Sequence, residues 1–156
     1  MSAIAIGIKQ KLLYPRYMNK IAQAIRNNNL AEYQAARYPM IQDGESVIFQ
    51  NEDFSKVDFN AFSMGFFRFE NCKLDHATEI YGQPIYFVNS SLRNADFRGA
   101  KAIIYAENCD FTDIVYDDET LFAYDTSTVS IFTNCIFDSQ TRAFFETQGV
   151  KFIDRE

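Results

Sequence analysis

Residues 52–74 read EDFSKVDFNAFSMGFFRFENCKL, and this stretch decides the fold. Large apolar residues recur in it at every fifth position, namely Phe54, Phe59, Met64, Phe69 and Leu74. An α-helix repeats after about 3.6 residues and a β-strand after about 2, so neither accounts for this period. A coil with square corners accounts for it, because each of its five-residue sides places two side chains in the centre. These are the large residue and the residue two positions before it.

The same step continues through most of the chain. A second series is Phe87, Leu92, Phe97 and Ala102, and its phase returns at Phe122, Phe132, Phe137 and Phe152. Cys109-x-Phe111 is a further copy, one residue out of phase. The residues between these positions are mainly polar, as expected for an outer surface. Stacked coils of this kind bury a continuous apolar column.

Individual repeats resemble a known family. Ala95-Asp96-Phe97-Arg98-Gly99 matches the pentapeptide-repeat consensus, in which a small residue, Asp or Asn, and Leu or Phe come in order. Residues 57–61, 90–94 and 109–113 are similar, and the resemblance covers about residues 45–155. It implies a mainly β fold, a right-handed quadrilateral β-helix of about five irregular coils.

The chain before the repeats differs in pattern and charge. Residues 3–13 are an apolar stretch that suits a short strand, and residues 17–27 place apolar side chains on one face of a helix. The pattern of residues predicts a second short helix from Leu30 to Arg37, which ends near Pro39. Residues 1–40 carry a charge of +5 and residues 41–156 a charge of -11, which give the net -6. We therefore predict a basic, partly helical capping segment over 1–44 and an acidic repeat region over 45–156.

Three stretches break the period, at residues 75–86, 103–121 and 139–149. The first contains Gly82-Gln83-Pro84, which predicts a loop, and the second predicts a local bulge near Phe111. The third receives no assignment. Phe62 and Phe67 are large for corner positions, which predicts either distorted first coils or a slip of the repeat phase there.

The residues offer little for catalysis or metal binding. The three cysteines, Cys72, Cys109 and Cys135, are irregularly spaced and fall on inward corner positions, whereas the single histidine, His76, falls on an outward position. We therefore expect the cysteines to pack in the core and not to bind zinc together with His76. Glycine-rich phosphate-binding motifs are absent. We expect no enzyme and no cofactor.

The sequence shows no apolar run of the roughly 18 residues that a membrane span needs and no signal-peptide pattern, so a cytoplasmic protein is expected.

The acidic repeat region should repel nucleic acid and attract basic protein surfaces, including those that bind nucleic acid. Some pentapeptide-repeat proteins are like duplex DNA in width and charge, and inhibit DNA gyrase or shield it from quinolones. We therefore predict a non-catalytic protein-binding module, a DNA mimic directed at a gyrase-like enzyme or a bacterial defence nuclease. The candidate partner-binding residues are Asp110, Asp113, Asp117, Asp118 and Glu119, with Asp53 and Asp58 as a second patch.

The alternative is a structural or assembly scaffold. It would interact through the β-helix faces or the N-terminal segment, and the open end of the column would favour a homodimer. Changing Asp117, Asp118 and Glu119 to Lys separates the two hypotheses. This change should abolish inhibition of a partner by a mimic and leave assembly of a scaffold nearly unchanged.

Overall fold

The computed structural model describes residues 18–60, 62 and 64–155, and the apolar stretch at residues 3–13 lies outside them. Helix α1 covers residues 18–26 and α2 covers Leu30–Gln42. The strands are β1 (Ile48–Gln50), β2 (Arg68–Glu70), β3 (Gly82–Val88), β4 (Ala102–Glu107), β5 (Ile131–Thr133) and β6 (Lys151–Ile153). Helix α3 (Ser139–Thr147) lies between β5 and β6.

The six strands pair in parallel in their sequence order, which makes one side of a solenoid. We call this sheet the first face and number each coil by the strand that begins it. Isolated bridges mark the other sides: Asp53–Lys73–Ser91–Asp110–Ile136 on the second face, Asp58–Thr78–Asp96–Val115 on the third and Lys101–Leu121 on the fourth. The predicted fold class is confirmed: the chain is a mainly β, parallel solenoid of about five turns with a helical N-terminal part.

Aromatic rings fill the centre of the column. The register aligns Phe49, Phe69 and Phe87 on successive strands, and Phe69 stacks on Phe87 with ring centroids 5.1 Å apart. Phe54 meets Phe69 edge-on at 5.8 Å. Such pairs contribute about 0.5–1.5 kcal/mol each beyond the burial of their area. The large residues predicted to point inward from Phe54 to Leu74 are all at most 1% exposed.

The described part of the first coil keeps its pairing, so Phe62 and Phe67 do not distort it there. Both side chains are fully buried, and Phe49 pairs with Phe69 and Asp58 with Thr78 one coil later. The ring of Tyr33 on α2 meets Phe62 edge-on at 4.9 Å. The large corner residues are therefore accommodated because they pack against the helices.

The two N-terminal helices join the same hydrophobic cluster as the coils. Asn29 caps α2, since its side chain accepts a hydrogen bond of 3.1 Å from the Glu32 N–H. The predicted end near Pro39 is wrong, because Met40 continues the buried face and is 2% exposed. In the described part of the chain, no helix is long and apolar enough to cross a membrane.

The segment Gly82-Gln83-Pro84 belongs to β3, so the predicted loop is wrong. The N–H of Phe66 donates to the Pro84 carbonyl at 2.7 Å, which keeps the coils paired. At Gly82 the backbone passes so close to the previous coil that a Cβ would lie 3.3 Å from the Gly65 nitrogen. The glycine thus permits a shortened coil rather than a loop.

The irregularity predicted near Phe111 lies on either side of it. Gly82 pairs with Ala102 and Phe87 with Ala106, so the segment of β4 from Ala102 to Ala106 contains one residue fewer than the segment of β3 that it pairs with. Asp96 pairs with Val115 and Lys101 with Leu121, so the segment from Val115 to Leu121 contains one residue more than the segment from Asp96 to Lys101 that it pairs with. The two changes cancel, and Phe111 itself is fully buried.

Residues 139–149, which the period left unassigned, contain α3. The carboxylate of Asp138 caps this helix by accepting the Thr141 N–H at 2.8 Å. Phe145 stacks on Phe122 with ring centroids 4.2 Å apart, and the Gln148 side chain accepts the Phe122 N–H at 2.9 Å. The helix therefore replaces part of the fifth coil and still closes the column.

Candidate functional site

The structure divides the predicted carboxylates between faces. Asp58 points outward on the third face, and Asp117, Asp118 and Glu119 form the turn that follows that face in the fourth coil. Asp53 and Asp110 lie on the second face, and Asp113 occupies the corner between the two faces. The predicted second patch of Asp53 and Asp58 is therefore not one surface.

The second face mixes charges. Lys73 stands between Asp53 and Asp110 in the same bridged column. The Arg93 guanidinium lies 3.8 Å from the Asp110 carboxylate. A neighbouring cation offsets part of each carboxylate's field, so this face is a weaker anionic surface than its acids alone suggest.

The third face and the turn after it are strongly acidic, and we call them together the acidic face. Glu79 of the second coil and Asp96 of the third join the predicted residues there. Its charged residues are Asp58, Glu79, Asp96, Arg98, Asp117, Asp118 and Glu119. Every coil from the first to the fourth contributes at least one carboxylate, and among the residues that the structure describes this face carries the cation of Arg98.

Arg98 is tied to its own coil. Its guanidinium lies 2.6 Å from the Asp96 carboxylate, and this hydrogen bond holds the pKa of Asp96 below its usual range. Exposed ion pairs of this kind are worth about 0–1 kcal/mol. The pair is a local feature, and the other carboxylates of the acidic face keep their excess of negative charge.

The Asp117 turn is held by a network of hydrogen bonds. The Asp117 carboxylate accepts the N–H of Gly99 at 2.9 Å and that of Glu119 at 3.0 Å. The Thr120 hydroxyl donates to the Phe97 carbonyl at 2.8 Å and accepts the Asp117 N–H at 3.0 Å. The Gly99 N–H is the main reason that the pKa of Asp117 is lowered. Asp118 and Glu119 project from this fixed turn and are exposed.

Several other aspartates contribute hydrogen bonds to the backbone of the coil in addition to negative charge. Asp53, Asp58, Asp96 and Asp110 each accept the backbone N–H two residues ahead, at 2.9–3.0 Å. Such turns fix the carboxylate relative to the backbone. A charge that is already fixed loses little conformational entropy when a partner binds.

The spacing of the coils sets the spacing of the charges. Adjacent strands lie about 4.8 Å apart, so Asp58 of the first coil and the Asp117 turn of the fourth are separated by about 15 Å along the column. The acidic face is therefore a short ridge.

The cysteines and the histidine are placed as the repeat predicts. Cys72 and Cys109 are 2% exposed, Cys135 is half-buried and His76 is exposed. Within residues 18–60, 62 and 64–155, no three His, Cys, Asp or Glu side chains are grouped so that they could hold a metal ion.

The structure contains a column of asparagines, one after each of five strands, that was not predicted from the sequence. Asn51, Asn71, Asn89, Asn108 and Asn134 follow the strands of successive coils, with φ between 49° and 57°. Asparagine tolerates this left-handed conformation better than most residues. The signal was present as Phe-x-Asn at Phe49, Phe69, Phe87 and Phe132. A groove of about 460 Å³ runs beside the column.

Comparison with protein-family models, with curated proteins and with solved structures finds no match to this chain.

Proposed function

We propose that this protein is a non-catalytic binding module whose acidic face docks on a basic, nucleic-acid-binding surface of a protein partner. The protein would then act as a DNA mimic that blocks or shields a DNA-binding enzyme, such as a gyrase-like enzyme or a defence nuclease. Membership of the pentapeptide-repeat family is part of this proposal and is supported by the five-residue period of buried residues.

The observation that carries the proposal is the concentration of carboxylates on one side of the column. Duplex DNA presents one charge per about 1.7 Å, so a length of about 15 Å corresponds to about nine phosphates. The acidic face carries the carboxylates of Asp58, Glu79, Asp96, Asp117, Asp118 and Glu119 over the same length. A basic groove shaped for DNA would meet charge of the same order on a rigid support.

The mechanism is exclusion. Carboxylates of the acidic face would pair with Lys and Arg side chains that otherwise contact phosphate, and the column would occupy the space of the duplex. Because such contacts are screened by salt, binding should weaken as ionic strength rises.

Competition with DNA tests this function. The purified protein is immobilised and loaded with host lysate, and bound proteins are eluted with a short DNA duplex or with neutral dextran. The proposal expects the duplex, but not dextran, to release a DNA-binding enzyme whose activity the free protein inhibits. Bound proteins that neither agent releases and that have no role with nucleic acid would contradict it.

Assembly is the second candidate, and one surface favours it. Tyr38 and Ile41 of α2 are 62% and 58% exposed, and they line a groove of about 370 Å³ that also touches Gly65. Phe66 beside this groove is 60% exposed. An assembly module should form oligomers in light scattering that are lost on Tyr38→Ser with Ile41→Ser and retained on Asp118→Asn. A concentration-independent monomer would contradict assembly through copies of this chain.

A further inference from the structure

One inward corner of the column carries small sulfur or hydroxyl side chains on consecutive coils. Lys73, Ser91, Asp110 and Ile136 form a bridged column between the second and fifth coils. The residues immediately before them are Cys72, Ser90, Cys109 and Cys135. The order along this column is therefore Cys, Ser, Cys, Cys, and only its last two members are cysteines on adjacent coils.

The backbone brings Cys109 and Cys135 to the spacing of a disulfide. The Ile136 N–H donates to the Cys109 carbonyl at 2.9 Å, which fixes the two coils in register at this corner. Paired strands lie about 4.8 Å apart. The Cα atoms of disulfide-bonded cysteines lie about 4.4–6.8 Å apart, so this register is compatible with a bond.

The side chains are oriented alike. The Cys109 thiol donates to the Glu107 carbonyl at 3.2 Å, and the Cys135 thiol donates to the Thr133 carbonyl at 3.4 Å. Each carbonyl belongs to the residue two before its cysteine, so the two thiols lie on the same side of their coils. They also interact with one another.

We propose that Cys109 and Cys135 form a redox modification site, at which a peroxide oxidant creates a reversible disulfide between the fourth and fifth coils. The thiolate of Cys135 attacks one peroxide oxygen, the O–O bond breaks, and hydroxide leaves and takes a proton to become water. The resulting Cys135 sulfenic acid is attacked by the Cys109 sulfur. The S–O bond breaks, and the departing hydroxide takes the Cys109 proton. Two thiols and one hydrogen peroxide thus give one disulfide and two water molecules.

The two cysteines have different parts in this sequence. The neighbouring Cys109 thiol lowers the pKa of Cys135, whereas the Cys135 thiol and burial raise the pKa of Cys109. Cys135 is also half-buried, whereas Cys109 is 2% exposed. Since the thiolate is the nucleophile, Cys135 reacts with the oxidant and Cys109 resolves the sulfenic acid.

Cys72 is a matched internal control. It occupies the same corner column and is buried to the same extent as Cys109, at 2% exposure. Ser90 lies between Cys72 and Cys109, and its hydroxyl accepts the Cys72 N–H at 3.1 Å. Cys72 therefore has no thiol on the adjacent third coil and should remain reduced.

Mass spectrometry of the oxidised native protein tests the site. Trypsin cleaves after Lys101 and Arg142 with no site between them, so Cys109 and Cys135 share the peptide 102–142, whereas Cys72 lies in the peptide 69–73. The protein is treated with hydrogen peroxide, alkylated under denaturing conditions and digested. Peptide 102–142 should be two hydrogen atoms lighter and free of label, and peptide 69–73 should be labelled. Dithiothreitol should restore both labels on 102–142.

Serine variants complete the test, because Ser90 shows that this column accepts serine. Cys72→Ser should form the disulfide as the wild type does. Cys109→Ser should accumulate a dimedone-reactive sulfenic acid at Cys135, and Cys135→Ser should react much more slowly. Full labelling of peptide 102–142 after oxidation would overturn the proposal, as would a disulfide that includes Cys72. Equal oxidation in urea-unfolded protein would also overturn it, since the reaction would then owe nothing to the fold.

Discussion

The backbone N–H of Gly99 in the third coil donates a 2.9 Å hydrogen bond to the Asp117 carboxylate in the fourth coil. Gly99 has φ of +68°, and a Cβ built on it would face open space apart from the Glu119 carboxylate 3.9 Å away. This bond joins two coils at the edge of the acidic face. The turn that presents Asp118 and Glu119 is thereby part of the solenoid and not a separate loop.

The Thr120 hydroxyl should be the most sensitive polar group of this turn. Thr120 is fully buried, and Thr120→Val would remove the acceptor of the Asp117 N–H and leave the Phe97 carbonyl with the Ala100 N–H alone. We expect a loss of about 1–3 kcal/mol in the free energy of unfolding, measured by urea denaturation. Thr126→Val, in an exposed position, should change it by less than about 0.5 kcal/mol. Equal effects of the two substitutions would contradict the account of the turn.

The aromatic column should dominate the stability of the fold. Phe69 is fully buried between Phe49 and Phe87, so Phe69→Ala should cost about 3–5 kcal/mol in the free energy of unfolding. Phe66 is 60% exposed, and Phe66→Ala should cost much less. Thermal and urea denaturation of both variants check the difference. Similar losses at the two positions would show that Phe69 is not a core residue.

The asparagine column should depend on backbone conformation. Asn89 has φ of 49°, where a β-branched residue is strained, so Asn89→Val should lower the free energy of unfolding by about 1–2 kcal/mol. Asn89→Gly should stay close to the wild type, because glycine adopts this conformation freely. If glycine were as damaging as valine, the asparagine side chain rather than its backbone would be the reason for its presence.

Acid should weaken the fold through its hydrogen-bonded aspartates. The pKa of Asp117 is lowered mainly by the Gly99 N–H, and that of Asp96 mainly by the Arg98 guanidinium. An unfolded Asp titrates near about 3.9, so these groups contribute fully above that pH and lose their contribution as the pH falls through the lower folded-state value. The melting temperature should be flat from about pH 7 to 5 and fall below about pH 4.

Asp117→Asn provides the check on this pH dependence. The amide cannot ionise, so the melting temperatures of the variant and the wild type should differ most near neutral pH and converge as the pH falls through the lowered folded-state pKa of Asp117. Asp118→Asn removes the neighbouring exposed carboxylate and serves as the control for the loss of one charge from the same turn. A constant difference between Asp117→Asn and the wild type at every pH would contradict the expectation.

The period of five predicted the solenoid because it reports directly which side chains are buried. Phe54, Phe59 and Phe97 fall where the pattern places them. The path of β3 was not predictable, because Gly82 and Pro84 usually mark turns and only the close approach of the neighbouring coil makes them part of a strand. Helix α3 was missed for a related reason, since its cap at Asp138 is also a typical repeat residue.

The candidate site was predictable only in part. Asp117, Asp118 and Glu119 are adjacent in sequence, so their density was visible. The placement of Glu79 beside them depends on the shortened second coil, which shifts the phase between Leu74 and Phe87. Asp53 and Asp58 are close in sequence but lie on different faces, because a corner of the coil stands between them.

Charge removal from the acidic face tests the central claim most directly. One variant combines Glu79→Gln, Asp118→Asn and Glu119→Gln, which are exposed positions on the acidic face. The matched control combines Glu32→Gln, Asp43→Asn and Glu45→Gln, which remove the same charge at the helical end. Capture of a DNA-binding enzyme on immobilised protein at low salt is compared for the two variants and the wild type. The account predicts at least a tenfold loss for the acidic-face variant and near wild-type capture for the control; equal capture by both variants would contradict it.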